Sequence, residues 1–403
     1  MDNIFIARQP IIDRNKGLLA YELLYRDGDA GYANFSDGQF ATANVILNSF
    51  MEIGIDNIVG NSLSFINVSE EFILDEDFKS MFKKNIVLEI LEDVHPSAEV
   101  VAGVTLLKNL GYQIALDDFQ YSPDYNEILP LADFVKLDVL ELGHEGVIRE
   151  LKFLEKYDVK LLAEKVEDMS MYNFCSNLGF DYFQGCYFHK PELVSHKNIP
   201  ANKLVVLNLL KQLSRVDFDF SEMEKSLSQD AVLTYKLIRY VNSAAFSGRK
   251  EISSIKDALS LVGVKIIRKW VTLIIMMQLA EGKPQELLIS ALVRARMCEL
   301  LSEKMDVNSD IMFTVGLFSL LDALMDEPIS LLLDQLSLSS DIKLALLSYD
   351  GEAGAILKNV ILYEQGEWIE LAKSGVDSNI YCSSYMESVK WSDETIHSLL
   401  LNN

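Results

Sequence analysis

Two adjacent carboxylates, Asp117 and Asp118, end the apolar run in IALDDFQYSP, residues 114–123. The run reads as a buried strand, a costly place for unpaired charge because an ionised carboxylate removed from water loses several kcal/mol. A metal ion bound where the strand emerges would remove that cost. The competing reading is an Asp pair capping the following turn, since Asp is common in turns and caps. For one strand capping is the simpler account, but six other β-rich runs also carry a polar residue: Glu22, Asn67, Glu89, Lys136, Glu164 and Gln184.

These side chains share a chemistry. Carboxylates and carboxamides are hard oxygen ligands suited to Mg²⁺ or Mn²⁺, and no His/Cys set competes for zinc or copper. The Asp117–Asp118 step lets neighbouring groups serve two ions, an arrangement that activates water and stabilises the leaving oxygen of a phosphodiester. Arg26 could hold a phosphate with its planar fork. Lys136 could orient the attacking water or offset charge on phosphorus; alternatively it forms an internal salt bridge to Asp138 or a neighbouring acid.

The elements that must position these residues alternate in type from residue 4 to about 190. Residues 4–12 and 20–26 read as strands joined by the turn NKG, which is too short for a parallel crossover and predicts a hairpin. Helices are expected over 41–53, near 70–82, and over 97–111, 145–158 and 168–179. Strands are expected over 63–69, 85–91, 113–119, 132–139, 159–166 and 180–188. Repeated βα units imply a mostly parallel sheet, closed as a barrel or doubly wound. Period-two alternation puts Leu24 and Arg26 on the face of Glu22, Val87 and Leu91 on that of Glu89, and Ala115 and Phe119 on that of Asp117. In a closed α/β barrel, sites form where strands end at the C-terminal face, so one polar residue per strand is what a metal-centred barrel site requires.

With 403 residues the chain has room for two domains. Sixty acidic against 36 basic residues give a net charge of −24, which repels nucleic-acid backbones and anionic lipid. MDNIFIARQP lacks the basic start and apolar core of a signal peptide, and the apolar run at 270–280 is too short to span a bilayer. Cys175, Cys186, Cys298 and Cys382 are scattered and read as reduced residues of a cytoplasmic protein.

The first half resembles the EAL domains, cyclic di-GMP phosphodiesterases built on a (β/α)8 barrel. The likeness runs through Glu22-Leu23-Leu24-Tyr25-Arg26 for E-x-L-x-R, Asn67 in INVS, Glu89-Ile90-Leu91-Glu92 for E-x-T-E, and Asp117-Asp118-Phe119 for the start of D-D-F-G. Lys136 in VKLD, Glu164 in AEKVE and Gln184-Gly185 in FQGCYF complete it. The resemblance implies hydrolysis of cyclic di-GMP to linear pGpG with two Mg²⁺ or Mn²⁺ ions. By motif position, Glu22, Asn67, Glu89, Asp117, Asp118 and Glu164 would surround the metals, and Glu164 would share catalysis with Lys136 and Gln184, which position the water. Arg26 and Leu24 would meet the substrate, and Glu92 would brace the loop after Asp118, which in the family also bears on homodimer formation.

That loop departs from the family pattern. Gln120-Tyr121-Ser122-Pro123-Asp124-Tyr125 replaces a glycine-rich sequence, and Pro123 stiffens it. Lys165 stands where the family has glycine, and Leu23 where it has alanine. The changed loop sustains a second reading, a non-catalytic cyclic di-GMP receptor or interaction scaffold.

KNIPANKL (197–204) reads as a linker that separates domains at 1–196 and 197–403. Beyond it helices dominate: 204–214, 230–246, 254–263, 264–280, 284–305 and 312–325 carry apolar residues at helical spacing. DAVLTYKLIRYVNSAAF and ISSIKDALSLVG resemble the opening of HDOD domains, helical relatives of the HD phosphohydrolases. An HD metal site needs several histidines, yet residues 201–403 contain only His397. The expectation is an α/β barrel followed by an all-α bundle that recruits a signalling partner rather than a second hydrolase.

Overall fold

The structure, a computed structural model, describes residues 4–27, 56–75, 85–190, 210, 263–305, 307, 309–336 and 338–400. The helices expected at 41–53 and 230–246, nearly all of 204–214 and 254–263, and the second half of 70–82 lie outside the described residues.

Eight strands close into a barrel in sequence order: β1 (Ile4–Asp13), β2 (Leu18–Asp27), β3 (Leu63–Val68), β4 (Ile86–Ile90), β5 (Gln113–Leu116), β6 (Phe134–Asp138), β7 (Lys160–Glu164) and β8 (Tyr182–Gln184). The expected hairpin is present, so β1 runs antiparallel to both β2 and β8 while β2 to β8 are parallel. Between them lie the short α1 (Asp56–Val59) and α2 (Glu70–Leu74), then α3 (Ala98–Asn109), α4 (Val139–Leu154) and α5 (Met169–Leu178). Capping explains where these start: the Ser97, Asp138 and Asp168 side chains each accept a backbone N–H of the first turn. Helix α4 begins earlier than its periodicity predicts because the Asp138 cap starts one turn at Val139, which Gly143 then breaks at φ 60°.

The barrel core is one layer, Ile11, Ala20, Phe65, Val87, Ala115, Phe134 and Leu162, with Tyr182 packed on it. Phe65 and Phe134 meet edge to face, ring centroids 5.2 Å apart. Side chains alternate across a strand, so the residue two positions further on also points inward, one layer nearer the C-terminal mouth. From Ala20, Phe65, Val87, Ala115, Phe134, Leu162 and Tyr182 that residue is Glu22, Asn67, Glu89, Asp117, Lys136, Glu164 and Gln184. β5 ends at Leu116, shorter than expected, and Asp117 continues its direction by donating its N–H to the Ile90 carbonyl at 2.9 Å.

One compact unit comprises Met1–Phe188 together with Ile361–Met386. β8 reaches only Ile11–Asp13 of β1. Beyond it, the Ile6 carbonyl accepts from the Tyr363 hydroxyl at 2.9 Å, and the Arg8 N–H donates to the Tyr385 hydroxyl at 3.2 Å. Tyr363 is fully buried against Trp368, Tyr381 and Tyr385. Tyrosine hydroxyls thus satisfy backbone groups that a neighbouring strand would otherwise pair.

The other unit comprises His189–Val360 and Glu387–Asn403. Its described helices are α6 (Val264–Leu279), α7 (Gln285–Lys304), α8 (Ser309–Phe318), α9 (Leu321–Met325), α10 (Ile329–Gln335) and α11 (Ser340–Ser348); the unit boundaries fall inside α12 (Gly351–Glu364) and α14 (Ser378–Leu400), which flank α13 (Trp368–Ala372). The single helix expected over 312–325 is two, broken at Leu320, whose φ of −120° is not helical. α8 crosses α7 so closely that a Cβ on Gly316 would lie 2.5 Å from the Arg294 carbonyl. No described helix is long and apolar enough to cross a membrane.

Candidate active site

The second inward layer converges on Lys136, whose side chain is 1% exposed. Its ammonium lies 2.6 Å from Glu164 Oε1, 2.9 Å from Asp117 Oδ1 and 3.3 Å from Glu22 Oε2, and it is also ion-paired with Glu89. Asp138, the partner considered from sequence, pairs instead with Lys165. Gln184 Nε2 donates to Glu22 Oε2 at 2.7 Å and to Gln9 Oε1 at 3.0 Å.

Burial sets the electrostatics. Desolvation, then the neighbouring charge of Glu22, pushes the Glu89 carboxyl well above the usual range despite Lys136. Glu164 is also raised well above it, by desolvation first and by Asp117 and Glu22. Asp117 goes the other way: burial raises it, but the charge and hydrogen bond of Lys136 outweigh that and hold it low. Asp118 is raised by desolvation and by Asp117. The carboxylates in turn hold Lys136 protonated although its burial favours the neutral amine. One ammonium does not neutralise this many buried acids.

Two groups have ligand spacing. Glu22, Glu89 and Glu164 each offer an oxygen within 4.8 Å of the others, and so do Glu92, Asp117 and Asp118. Glu89 Oε2, Asp118 Oδ1 and Gln184 Oε1 are buried with no hydrogen-bond partner among the described residues. Stranded buried acceptors and an excess of negative charge suit a hard divalent cation with oxygen ligands. Asn67 pairs in register with Glu89. Leu24 is partly buried on β2, while the Arg26 side chain lies outside the described residues.

The loop after Asp118 is anchored from outside the barrel. Phe119 is buried and its N–H donates to the Lys136 carbonyl at 2.9 Å. The Tyr121 N–H donates to the buried Glu150 of α4 at 2.8 Å, and the Tyr121 ring stacks on Phe153, centroids 4.2 Å apart. Glu92 is exposed and stands with Asp117 and Asp118; its charge adds to burial in raising the Tyr125 phenol.

Sequence reasoning passed over Gln9, Glu150 and the Lys165–Asp138 pair. Gln9 carried a signal: because β1 is antiparallel, its mouth-side residue lies two positions before the core residue Ile11, and Gln9 faces Glu22 in register.

The EAL domain family matches residues 2–191, and the HDOD domain family matches residues 199–325. Cyclic di-GMP phosphodiesterase CdgJ of Vibrio cholerae is 30% identical over 403 residues, covering 98% of this chain and 93% of the relative. YuxH of Bacillus subtilis is 29% identical over 402 residues, covering 96% and 98%. Among solved structures, an EAL domain protein of Listeria monocytogenes is 19% identical over 46% of this chain and 87% of its own, with a TM-score of 0.36. With both domains matched in order and a relationship that runs the length of the molecule, the chain belongs to the family in which an EAL domain is followed by an HDOD domain.

Proposed function

We propose that the barrel is a cyclic di-GMP phosphodiesterase, a hydrolase that opens one phosphodiester of the cyclic dinucleotide to give linear pGpG. The observation that carries this reading is the inward layer of acids around Lys136, with buried acceptors left over for cations. The sequence relationship to CdgJ supports the same activity.

In this reading Glu22, Asn67, Glu89, Asp117 and Glu164 hold one Mg²⁺ or Mn²⁺ ion, and Asp117 with Asp118 and Glu92 border a second. Bound there, the ions supply Lewis acidity toward the phosphate and a lowered pKa for water. Glu22 is oriented by Gln184, which is itself held by Gln9. Lys136 keeps Asp117 ionised as a ligand and places a positive charge beside the position of the attacking water. Leu24 and Arg26 line the approach from β2, with Arg26 on a substrate phosphate. The reading places the protein in the cytoplasm, with its cysteines reduced, and gives the HDOD domain a partner-binding role.

A second reading has its own observation. Tyr121, pinned by Glu150 and Phe153, ties down the loop that follows Asp118, and a fixed loop suits a receptor that binds cyclic di-GMP without turnover. Calorimetric titration of the full chain with cyclic di-GMP in Mg²⁺ or Mn²⁺, followed by product analysis, separates the two. Binding with pGpG formation supports the phosphodiesterase, and binding without it supports the receptor.

A further inference from the structure

Lys165 follows the last residue of β7 with φ 53°, a left-handed conformation that carries a steric cost for any residue with a Cβ. The ammonium at the end of this strained residue is ion-paired with Asp138 and lies 3.7 Å from Asp118 Oδ2. Asp138 is fixed, because its other oxygen caps α4, accepting the N–H groups of Leu140 and Glu141 at 2.9 Å each. Asp118 adopts a positive φ of 39°, and its second oxygen is buried with no hydrogen-bond partner among the described residues. A held positive charge therefore stands beside one oxygen of Asp118, a member of the Glu92–Asp117–Asp118 group, while the other oxygen is the buried one without a partner among the described residues.

We propose that Lys165 is a tethered competitor of the second divalent ion, weakening the Glu92–Asp117–Asp118 group for Mg²⁺ or Mn²⁺ and leaving Glu22, Glu89 and Glu164 as the tight site. This rests on the metal-dependent reading above and adds an order of loading to it. The inner ion binds first. The outer ion binds when its concentration is high or when a substrate phosphate brings further negative charge. The Lys165 side chain is 52% exposed, so water screens its charge and the weakening is graded rather than absolute.

The test needs no substrate: Mn²⁺ is titrated into the full-length protein and the free ion is counted by electron paramagnetic resonance. Wild type is expected to show one tight and one weak site. Lys165→Gly removes the charge and the strain, and Lys165→Asn removes the charge in a residue that tolerates left-handed backbone. Both should tighten the weak site by about tenfold or more, the effect of a full charge a few ångströms from the ion, with the tight site unchanged. Lys165→Arg should keep the weak site weak. If Lys165 only fastens β7 to α4, the neutral variants shift the melting temperature but leave both Mn²⁺ affinities as in wild type, and the proposal is overturned. Absence of any Mn²⁺ binding in wild type would instead overturn the metal reading and this inference with it.

Discussion

Replacing Lys136 by methionine keeps most of the buried stem and deletes the one positive charge that, among the described residues, pairs with Glu22, Glu89, Asp117 and Glu164. The four carboxylates are 0–14% exposed, so solvent does not take over the role of the ammonium. Breaking a buried ion pair from one side costs about 3–5 kcal/mol. For a unit of this size each kcal/mol moves the melting temperature by about 2–4 °C, which puts the metal-free deficit at about 6–20 °C. Its pH dependence has a definite sign. Glu89 and Glu164 already have carboxyls raised above their unfolded values, so their protonated forms favour the fold at low pH and stability is lost as pH rises through the folded pKa. Lys136→Met raises them further, and its deficit should be larger at pH 8 than at pH 6. Mg²⁺ or Mn²⁺ should restore part of the loss by binding the folded state, about 2.7 kcal/mol at one hundred times the dissociation constant. Differential scanning calorimetry of wild type and variant, with and without metal at both pH values, measures all three effects. A variant that melts with wild type at both pH values and does not respond to metal would refute the reasoning.

Further predictions concern the rest of the molecule. Tyr363→Phe leaves the buried Ile6 carbonyl without its hydroxyl donor and should destabilise the barrel unit by about 1–3 kcal/mol in denaturant unfolding. Gly185→Ala should displace Gln184 and lower cyclic di-GMP turnover at least tenfold, because a Cβ there would sit 2.3 Å from the Val166 carbonyl oxygen and 2.5 Å from its nitrogen; unchanged turnover would show that the end of β8 is not what positions Gln184. His189 is half-buried, and desolvation and Arg294 push its pKa well below 6.5. The unfolded chain therefore takes up a proton that the fold excludes, and stability present above about pH 6.5 is lost as pH falls. His189→Gln should show a smaller loss of melting temperature than wild type between pH 7 and pH 5.5.

The barrel mouth was legible because period two is exact in a strand. Once Val87 or Ala115 is taken as core, Glu89 or Asp117 two positions on must point the same way, and in the structure the same step leads from Phe134 and Leu162 of the core layer to Lys136 and Glu164. The alternation of strands and helices carried a mostly parallel sheet but left barrel and doubly wound forms open, closure being implied by the resemblance to EAL domains, and the short NKG turn carried the antiparallel start. Gln9 was missed because the same rule runs backwards on β1. Lys165 was noticed as a replacement for glycine, but its ion pair depends on a positive φ and on the Asp138 cap, neither of which has a periodicity. The Tyr363 and Tyr385 contacts join residues more than 350 positions apart in the chain, and nothing local to either tyrosine marks them. The break between α8 and α9 was hidden because the apolar spacing continues through Leu320 and Leu321.

Product formation tests the central claim most directly. Purified full-length protein would be incubated with cyclic di-GMP and Mg²⁺ or Mn²⁺, and the nucleotides separated and quantified over time beside a Glu22→Ala control. The account predicts linear pGpG that accumulates only with a divalent ion, stops when the ion is chelated, and falls in the control by at least the roughly 10–100-fold that loss of even an outer-shell partner of a metal ligand costs. No pGpG above the Glu22→Ala level, with cyclic di-GMP intact in either metal, would contradict it.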